Sequence, residues 1–168
     1  DEIGAYDVAV VELAAPLPPS VATPALLSMS DHSRPVAGVF VTAAGYGVSA
    51  EGWAPDNPTA AARLSAVDLP LVAPAACAAS YAGAAYNDTL NLCAGYLDRA
   101  GCDTCEGDSG GPLFYRDAAS GDAVVIGVVS FGMGCGRLGT SCTLRALLVL
   151  GVDGRFLLGG VLYGSHYS

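Results

Sequence analysis

The chain has 168 residues, of which 52% are hydrophobic, and its formal net charge is −9. This composition supports a buried core and excludes a disordered chain. The seven basic residues are all arginines spread along the chain, which argues against nucleic acid and anionic membranes as partners. We expect one domain, preceded by a removed leader or a further segment, because the sequence opens inside a strand-like run.

Short segments rich in Val, Ile and Tyr alternate with loops rich in Gly, Pro, Asn and Asp. They predict strands at residues 6–13, 38–47, 64–72 and 123–132. The loops by composition are residues 15–24, 51–60 and 115–123. Weak helical patterns at residues 73–83 and 142–150 predict two short helices. The expected fold class is therefore all-β, a barrel or sandwich with long loops.

Six cysteines make an even set in a non-basic chain, which favours a disulfide framework and an oxidising compartment. The alternative is zinc, because Cys102 and Cys105 are spaced as CxxC. No second CxxC and no histidine at ligand spacing accompany them, so we expect no metal and no cofactor. Separately, Asn87-Asp88-Thr89 matches the N-glycosylation acceptor pattern, whereas Pro58 excludes the similar triplet at Asn57.

The stretch CEGDSGGPL, residues 105–113, places Ser109 among residues that build tight turns. A surface turn is the simplest interpretation. The stretch also satisfies G-x-S-x-G, the elbow of α/β-hydrolases, which would make the protein an esterase. That elbow requires a helix directly after the serine, and the following GGPLF cannot begin one.

The wider sequence resembles the trypsin-like, chymotrypsin-fold serine proteases between Tyr6 and Gly136. The segments that carry the resemblance are YDVAVVELAAPLP, AAGYG, NLCAGYLDRAGCDTCEGDSGGPLF and GVVSFGMGCG. It implies a chymotrypsin-like antiparallel β-barrel, mainly the second barrel of the two-barrel fold. It also implies a secreted endopeptidase that acts on polypeptides through an acyl-enzyme and that a protein inhibitor can block.

The resemblance assigns Ser109 as the nucleophile and Asp7 as the acid that orients the catalytic histidine. The backbone N–H groups of Gly107 and Ser109 would form the oxyanion hole, and Asp108 would support it by pairing with a freed α-amino group. Asp103 would be the base of the specificity pocket and select Arg or Lys.

The same resemblance makes Ser130, Phe131 and Gly132 the strand along which substrate pairs, with small Gly132 leaving the pocket mouth open. It implies the disulfides Cys77–Cys93 and Cys105–Cys135. Cys102 and Cys142 have no partners in the family, so we expect them to pair with each other.

Three departures from the family pattern matter. The family's histidine lies upstream of the aspartate strand, and neither His32, in a polar loop, nor His166 suits that role. Residues 1–141 are therefore interpreted as a partial protease domain without the N-terminal barrel. After Ser141 the family's closing strand and helix are absent, so residues 142–168 are interpreted as a divergent tail of uncertain structure. Val41 and Tyr115 stand at the two positions where the family usually has cysteines joined by a disulfide. Two alternatives stay open, a non-catalytic homologue that binds partners and the α/β-hydrolase-type esterase.

Overall fold

A computed structural model describes residues 7–9, 13–22, 24–26, 36–48, 63–81, 86–132 and 134–136, and the backbone of 144–148. It contains seven strands and one helix within these residues. In chain order they are β1 (Ala25–Leu26), β2 (Phe40–Gly45), β3 (Ser65–Pro70), α1 (Pro74–Ser80), β4 (Asn91–Ala94), β5 (Pro112–Arg116), β6 (Ala123–Phe131) and β7 (Leu144–Leu148).

Six of the strands close into an antiparallel barrel. They follow the order β3-β2-β5-β6-β7-β4, and each neighbouring pair is antiparallel. The two ends meet where Leu71 bridges Ala94, with Val72 N donating to Cys93 O at 2.8 Å and Gly95 N to Pro70 O at 2.9 Å. Closure leaves no free edge in the ring, and β1 adds a short parallel pairing to β6. The predicted all-β antiparallel barrel is confirmed.

Alternating side chains fill the barrel interior, as the two-residue period of a strand requires. On β2, Val41 and Ala43 are buried while their neighbours are more exposed. The core cluster comprises Val41, Ala43, Leu69, Leu71, Leu92, Ala94, Leu113, Ile126 and Val129. Tyr115 packs against this cluster, so apolar packing occupies both positions where the family usually has a disulfide.

The strands predicted at residues 38–47, 64–72 and 123–132 correspond to β2, β3 and β6, and the helix predicted at 73–83 is α1. Pro74 lies in the first turn of α1, where its missing N–H costs nothing. At the described residues 7–9 the backbone is not in a strand, unlike the prediction for 6–13.

The helix predicted over 142–150 is wrong, because residues Leu144–Leu148 form β7. This strand pairs with β4 on one side and with β6 on the other. Backbone bonds to two neighbours outweigh a weak local helical preference. The sheet thus includes Leu144–Leu148, which lie in the segment interpreted from the sequence as a tail of uncertain structure.

A second cluster ties α1 to the strands that carry the candidate site. Cys77 of α1 is disulfide-bonded to Cys93 of β4, and both are buried with Tyr81. The ring of Phe131, at the end of β6, meets the ring of Tyr81 edge-on at 6.3 Å between centroids. Within the described part of the chain, no helix is long and apolar enough to span a membrane.

Candidate active site

The loop that carries Ser109 is fixed by backbone hydrogen bonds on both sides of the serine. Asp108 N donates to Cys105 O at 3.1 Å, and Gly111 N donates to Asp108 O at 2.9 Å, so the loop is folded into consecutive turns. Gly110 N donates to Val129 O at 2.7 Å, and Val129 N donates to Gly111 O at 2.9 Å. The loop is thereby docked on β6, and Ser109 is exposed at its tip.

The secondary structure that follows Ser109 distinguishes the protease interpretation from the α/β-hydrolase interpretation. Residues Pro112–Arg116 form β5, an antiparallel partner of β2 and β6. A nucleophile elbow needs a helix at this point. The α/β-hydrolase alternative is therefore wrong for this chain.

Ser130 connects the two residues predicted to be catalytic. Ser109 Oγ donates to the backbone oxygen of Ser130 at 3.3 Å. The side chain of Ser130, itself buried, donates from Oγ to Oδ2 of Asp7 at 2.5 Å. The fold thus brings Asp7 and Ser109 to one residue of β6, although they are far apart in sequence.

Gly107, whose N–H group is predicted to form part of the oxyanion hole, has a backbone conformation that favours glycine. Its φ is +93°, in the region that L side chains rarely adopt. A Cβ at this position would lie 3.2 Å from Cα of Gly47, so the neighbouring turn also leaves little room. Gly107 is exposed and lies two residues before Ser109.

Asp108 is held by backbone N–H groups rather than by a charged partner within the described residues. Gly47 N donates to its Oδ1 at 2.8 Å, and Cys105 N donates to its Oδ2 at 2.9 Å. A Cβ on Gly47 would lie 2.5–2.6 Å from the carboxylate atoms, and a Cβ on Gly45 would also collide with Oδ1. The sequence showed these glycines within AAGYG, but it did not show that they form the cradle of Asp108.

Asp103 lies between the serine loop and the segment that follows β6. Its Oδ1 accepts a bond from Thr104 N at 2.8 Å, and its Oδ2 accepts one from Gly136 N at 3.0 Å. Burial raises the pKa of Asp103 above its usual range, the two N–H groups lower it, and the charge of Asp108 raises it. None of these influences comes from a cationic side chain. The carboxylate is therefore half-buried without a counter-charge from the described residues.

Both disulfides implied by the resemblance are present. Cys77–Cys93 joins α1 to β4, and Cys105–Cys135 joins the serine loop to the segment after Gly132, with an S–S distance of 2.04 Å. The carboxylate of Glu106 lies against the second disulfide. This group is not a metal site, because both sulfurs are already bonded to each other.

Other predicted site residues are placed as follows. Phe131 is half-buried against the Tyr81 cluster, and Gly132 is exposed directly after β6. Cys102 forms no disulfide with any residue that the structure describes, and its predicted partner Cys142 lies outside those residues. His32 and His166 lie outside them as well.

Comparison with known proteins decides the family. The family model named Trypsin matches residues 1–144. The chain belongs to the trypsin family. A trypsin-like protease of Streptomyces glaucescens is 38% identical over 133 residues, which are 79% of this chain and 45% of that protein. Trypsin Blo t 3 of Blomia tropicalis is 34% identical over 133 residues, covering 78% of this chain and 46% of the relative.

Coagulation factor XII of Sus scrofa matches a shorter part of the chain. It is 47% identical over 75 residues, which are 44% of this chain and 12% of that protein. The chain spans less than half the length of these trypsin-family relatives.

Proposed function

We propose that the complete protein is a secreted serine endopeptidase that cleaves after Arg or Lys through an acyl-enzyme. The observation that carries the proposal is the hydrogen-bonded connection from Ser109 through Ser130 to Asp7. The half-buried carboxylate of Asp103 supports it independently. The first three residues supply a nucleophile and an orienting acid, and the fourth supplies charge selectivity.

In this mechanism Ser109 Oγ attacks the scissile carbonyl after a histidine base removes its proton. Asp7 orients that histidine, which we place in the part of the protease fold that the matched residues do not cover. The N–H groups of Gly107 and Ser109 stabilise the negative charge that develops on the carbonyl oxygen. Asp108 maintains this loop, because its carboxylate fixes the backbone at Gly47 and Cys105.

Selectivity for basic side chains rests on Asp103. The substrate's guanidinium or ammonium group would supply the counter-charge that the described residues do not. Neighbouring Glu106 and Asp108 make the local field still more negative, and the whole chain has a net charge of −9. An apolar side chain in the same place would leave the carboxylate desolvated and unpaired, which is costly. A protein inhibitor would enter by the same route as substrate.

The test uses the complete protein and two matched peptide substrates, one with Arg and one with Phe before the scissile bond. We expect hydrolysis of the Arg substrate, loss of all hydrolysis in Ser109→Ala, and in Asp103→Ser a decrease of kcat/KM confined to the Arg substrate. Equal decreases for both substrates would contradict the role of Asp103. An inactive complete protein would instead support the non-catalytic homologue.

A further inference from the structure

Outside the catalytic region, one exposed triplet combines a modification pattern with a defined conformation. Asn87-Asp88-Thr89 lies in the turn that leads into β4, and the side chain of Asn87 is exposed. Asn87 Oδ1 accepts two hydrogen bonds, from Thr89 N at 2.9 Å and from Thr89 Oγ1 at 2.6 Å. The asparagine and the hydroxyl that the acceptor pattern requires are therefore in direct contact.

This arrangement orients the amide of Asn87. Both bonds are made by its oxygen, and Nδ2, the atom that carries an N-linked sugar, makes no hydrogen bond with the described residues. The nitrogen can therefore react without breaking a bond within this part of the fold. A glycan at this position would extend into solvent, because the neighbouring Asp88 and Thr89 are exposed as well.

The backbone of the turn holds Asn87 in that position. Asn87 O accepts bonds from Leu90 N at 3.1 Å and Asn91 N at 2.8 Å. Asn87 N donates to Oδ1 of Asn91 at 3.2 Å, and Asn91 is buried as the first residue of β4. The barrel thus anchors the end of the turn, while the acceptor side chain stays outside the core and leaves the packing undisturbed when modified.

We propose that Asn87 is an N-glycosylation site, used when the chain passes through a eukaryotic secretory pathway. The co-substrate is a lipid-pyrophosphate-linked oligosaccharide, and the host's oligosaccharyltransferase catalyses the transfer. Nδ2 of Asn87 attacks the anomeric carbon of the first sugar, forming the C–N bond. The C–O bond to the lipid pyrophosphate breaks, the pyrophosphate leaves with the bonding electrons, and Nδ2 loses one proton to a base. No oxidation or reduction occurs.

The inference does not depend on the catalytic role of Ser109, so the two are tested separately. The 168-residue chain is expressed behind a cleavable secretion signal in a eukaryotic host, with a known acceptor sequon appended at its C-terminus. Glycosylation of that appended sequon reports that the chain has entered the pathway. Treatment with an N-glycosidase, which converts a glycosylated asparagine to aspartate, followed by peptide mapping locates each modified position.

We expect a second glycan on Asn87 and none on Asn57, where Pro58 blocks the pattern. The glycan on Asn87 should be lost in Asn87→Gln and in Thr89→Ala, and retained in Thr89→Ser, which keeps the hydroxyl. An occupied C-terminal sequon together with unmodified Asn87 would overturn the proposal. So would a glycan that persists in Thr89→Ala.

Discussion

The hydroxyl of Ser130 donates a hydrogen bond to Oδ2 of Asp7 at 2.5 Å, across 123 positions of sequence. The backbone oxygen of the same residue accepts a bond from Ser109 Oγ. Side chain and backbone of Ser130 therefore serve different partners, and a substitution can remove the first interaction while leaving the second. Because Ser130 is buried in β6, its position is set by the barrel and not by a mobile loop.

If the proposed activity is correct, replacing Ser130 by Ala in the complete protein should lower kcat/KM for an Arg substrate at least about tenfold. A hydrogen bond to a charged group contributes about 1.5–3 kcal/mol, and 1.36 kcal/mol corresponds to a factor of ten. Steady-state kinetics on the purified variant provides the measurement. Ser65→Ala, an exposed position on β3, is the matched control and should leave kcat/KM unchanged. An unaltered kcat/KM in Ser130→Ala would show that Asp7 does not need the hydrogen bond from Ser130.

The raised pKa of Asp103 predicts a pH dependence of stability. Because burial favours the neutral form in the fold, this group contributes stability that is fully present below the ordinary pKa of Asp. That contribution is lost as the pH rises through the raised pKa. Urea unfolding of the complete protein and of Asp103→Asn from about pH 3 to about pH 7 measures the difference in unfolding free energy.

The wild type should lose stability relative to Asp103→Asn as the pH increases across that window. The asparagine keeps the acceptor for Thr104 N but not the one for Gly136 N. Losing the acceptor for Gly136 N shifts the difference in unfolding free energy by the same amount at every pH. It does not alter how that difference changes with pH. A difference that is independent of pH would contradict the raised pKa, and a slope of opposite sign would indicate a lowered one.

The cradle around Asp108 predicts that Gly47→Ala disturbs the oxyanion region. The new Cβ would lie 2.5–2.6 Å from the carboxylate atoms of Asp108, so the carboxylate or the turn must move. Losing one oxyanion donor typically costs about 3–4 kcal/mol of barrier, so kcat should decrease by roughly a hundredfold or more. KM should change less, because Asp103 and β6 remain in place.

A double-mutant cycle identifies the cause. In Asp108→Ala the carboxylate is absent, so adding Gly47→Ala should have much less further effect on kcat. Additive losses from the two substitutions would show that Gly47 acts through another contact, such as its close approach to Gly107.

Removing the Cys105–Cys135 disulfide should destabilise the complete protein. The paired variant Cys105→Ser with Cys135→Ser opens a loop with a sequence separation of 30. The chain-entropy model assigns such a loop about 3–4 kcal/mol. Chemical denaturation without reducing agent, so that the wild type keeps its disulfides, gives the unfolding free energy. The Cys77→Ser with Cys93→Ser variant, with a separation of 16, is the comparison. If the double variant at Cys105 and Cys135 is as stable as the wild type, this disulfide does not contribute to the unfolding free energy.

Two kinds of feature could be predicted from the sequence: secondary structure that depends on local residues, and features implied by the motifs that resemble the protease family. The hydrophobic run of β6 was visible as a strand, and the family resemblance identified both disulfides. The strand β7 was not visible, because its conformation depends on pairing with β4 and β6 on either side. Likewise, the bonds from Gly47 to Asp108 and from Ser130 to Asp7 join residues 61 and 123 positions apart, and no local pattern encodes them.

By itself, the 168-residue chain should not react with a fluorophosphonate probe for activated serines. In the structure Ser109 Oγ donates to the backbone oxygen of Ser130, which cannot take its proton away. An unassisted serine hydroxyl stays protonated at neutral pH, and removing one triad member costs nearly as much as removing all of them. The sequence contains two histidines, His32 and His166, and neither matches the family's catalytic position.

The experiment compares probe labelling of the 168-residue chain with that of the complete protein, at equal concentration and with both disulfides verified by peptide mapping. The complete protein should be labelled at Ser109, and Ser109→Ala sets the background. Strong labelling of the short chain that disappears in His32→Ala would make His32 the base and refute this view. Labelling that disappears only in His166→Ala would assign the base to the C-terminal segment instead. Either histidine would have to reach both Ser109 and the carboxylate of Asp7, which already accepts the hydroxyl of Ser130.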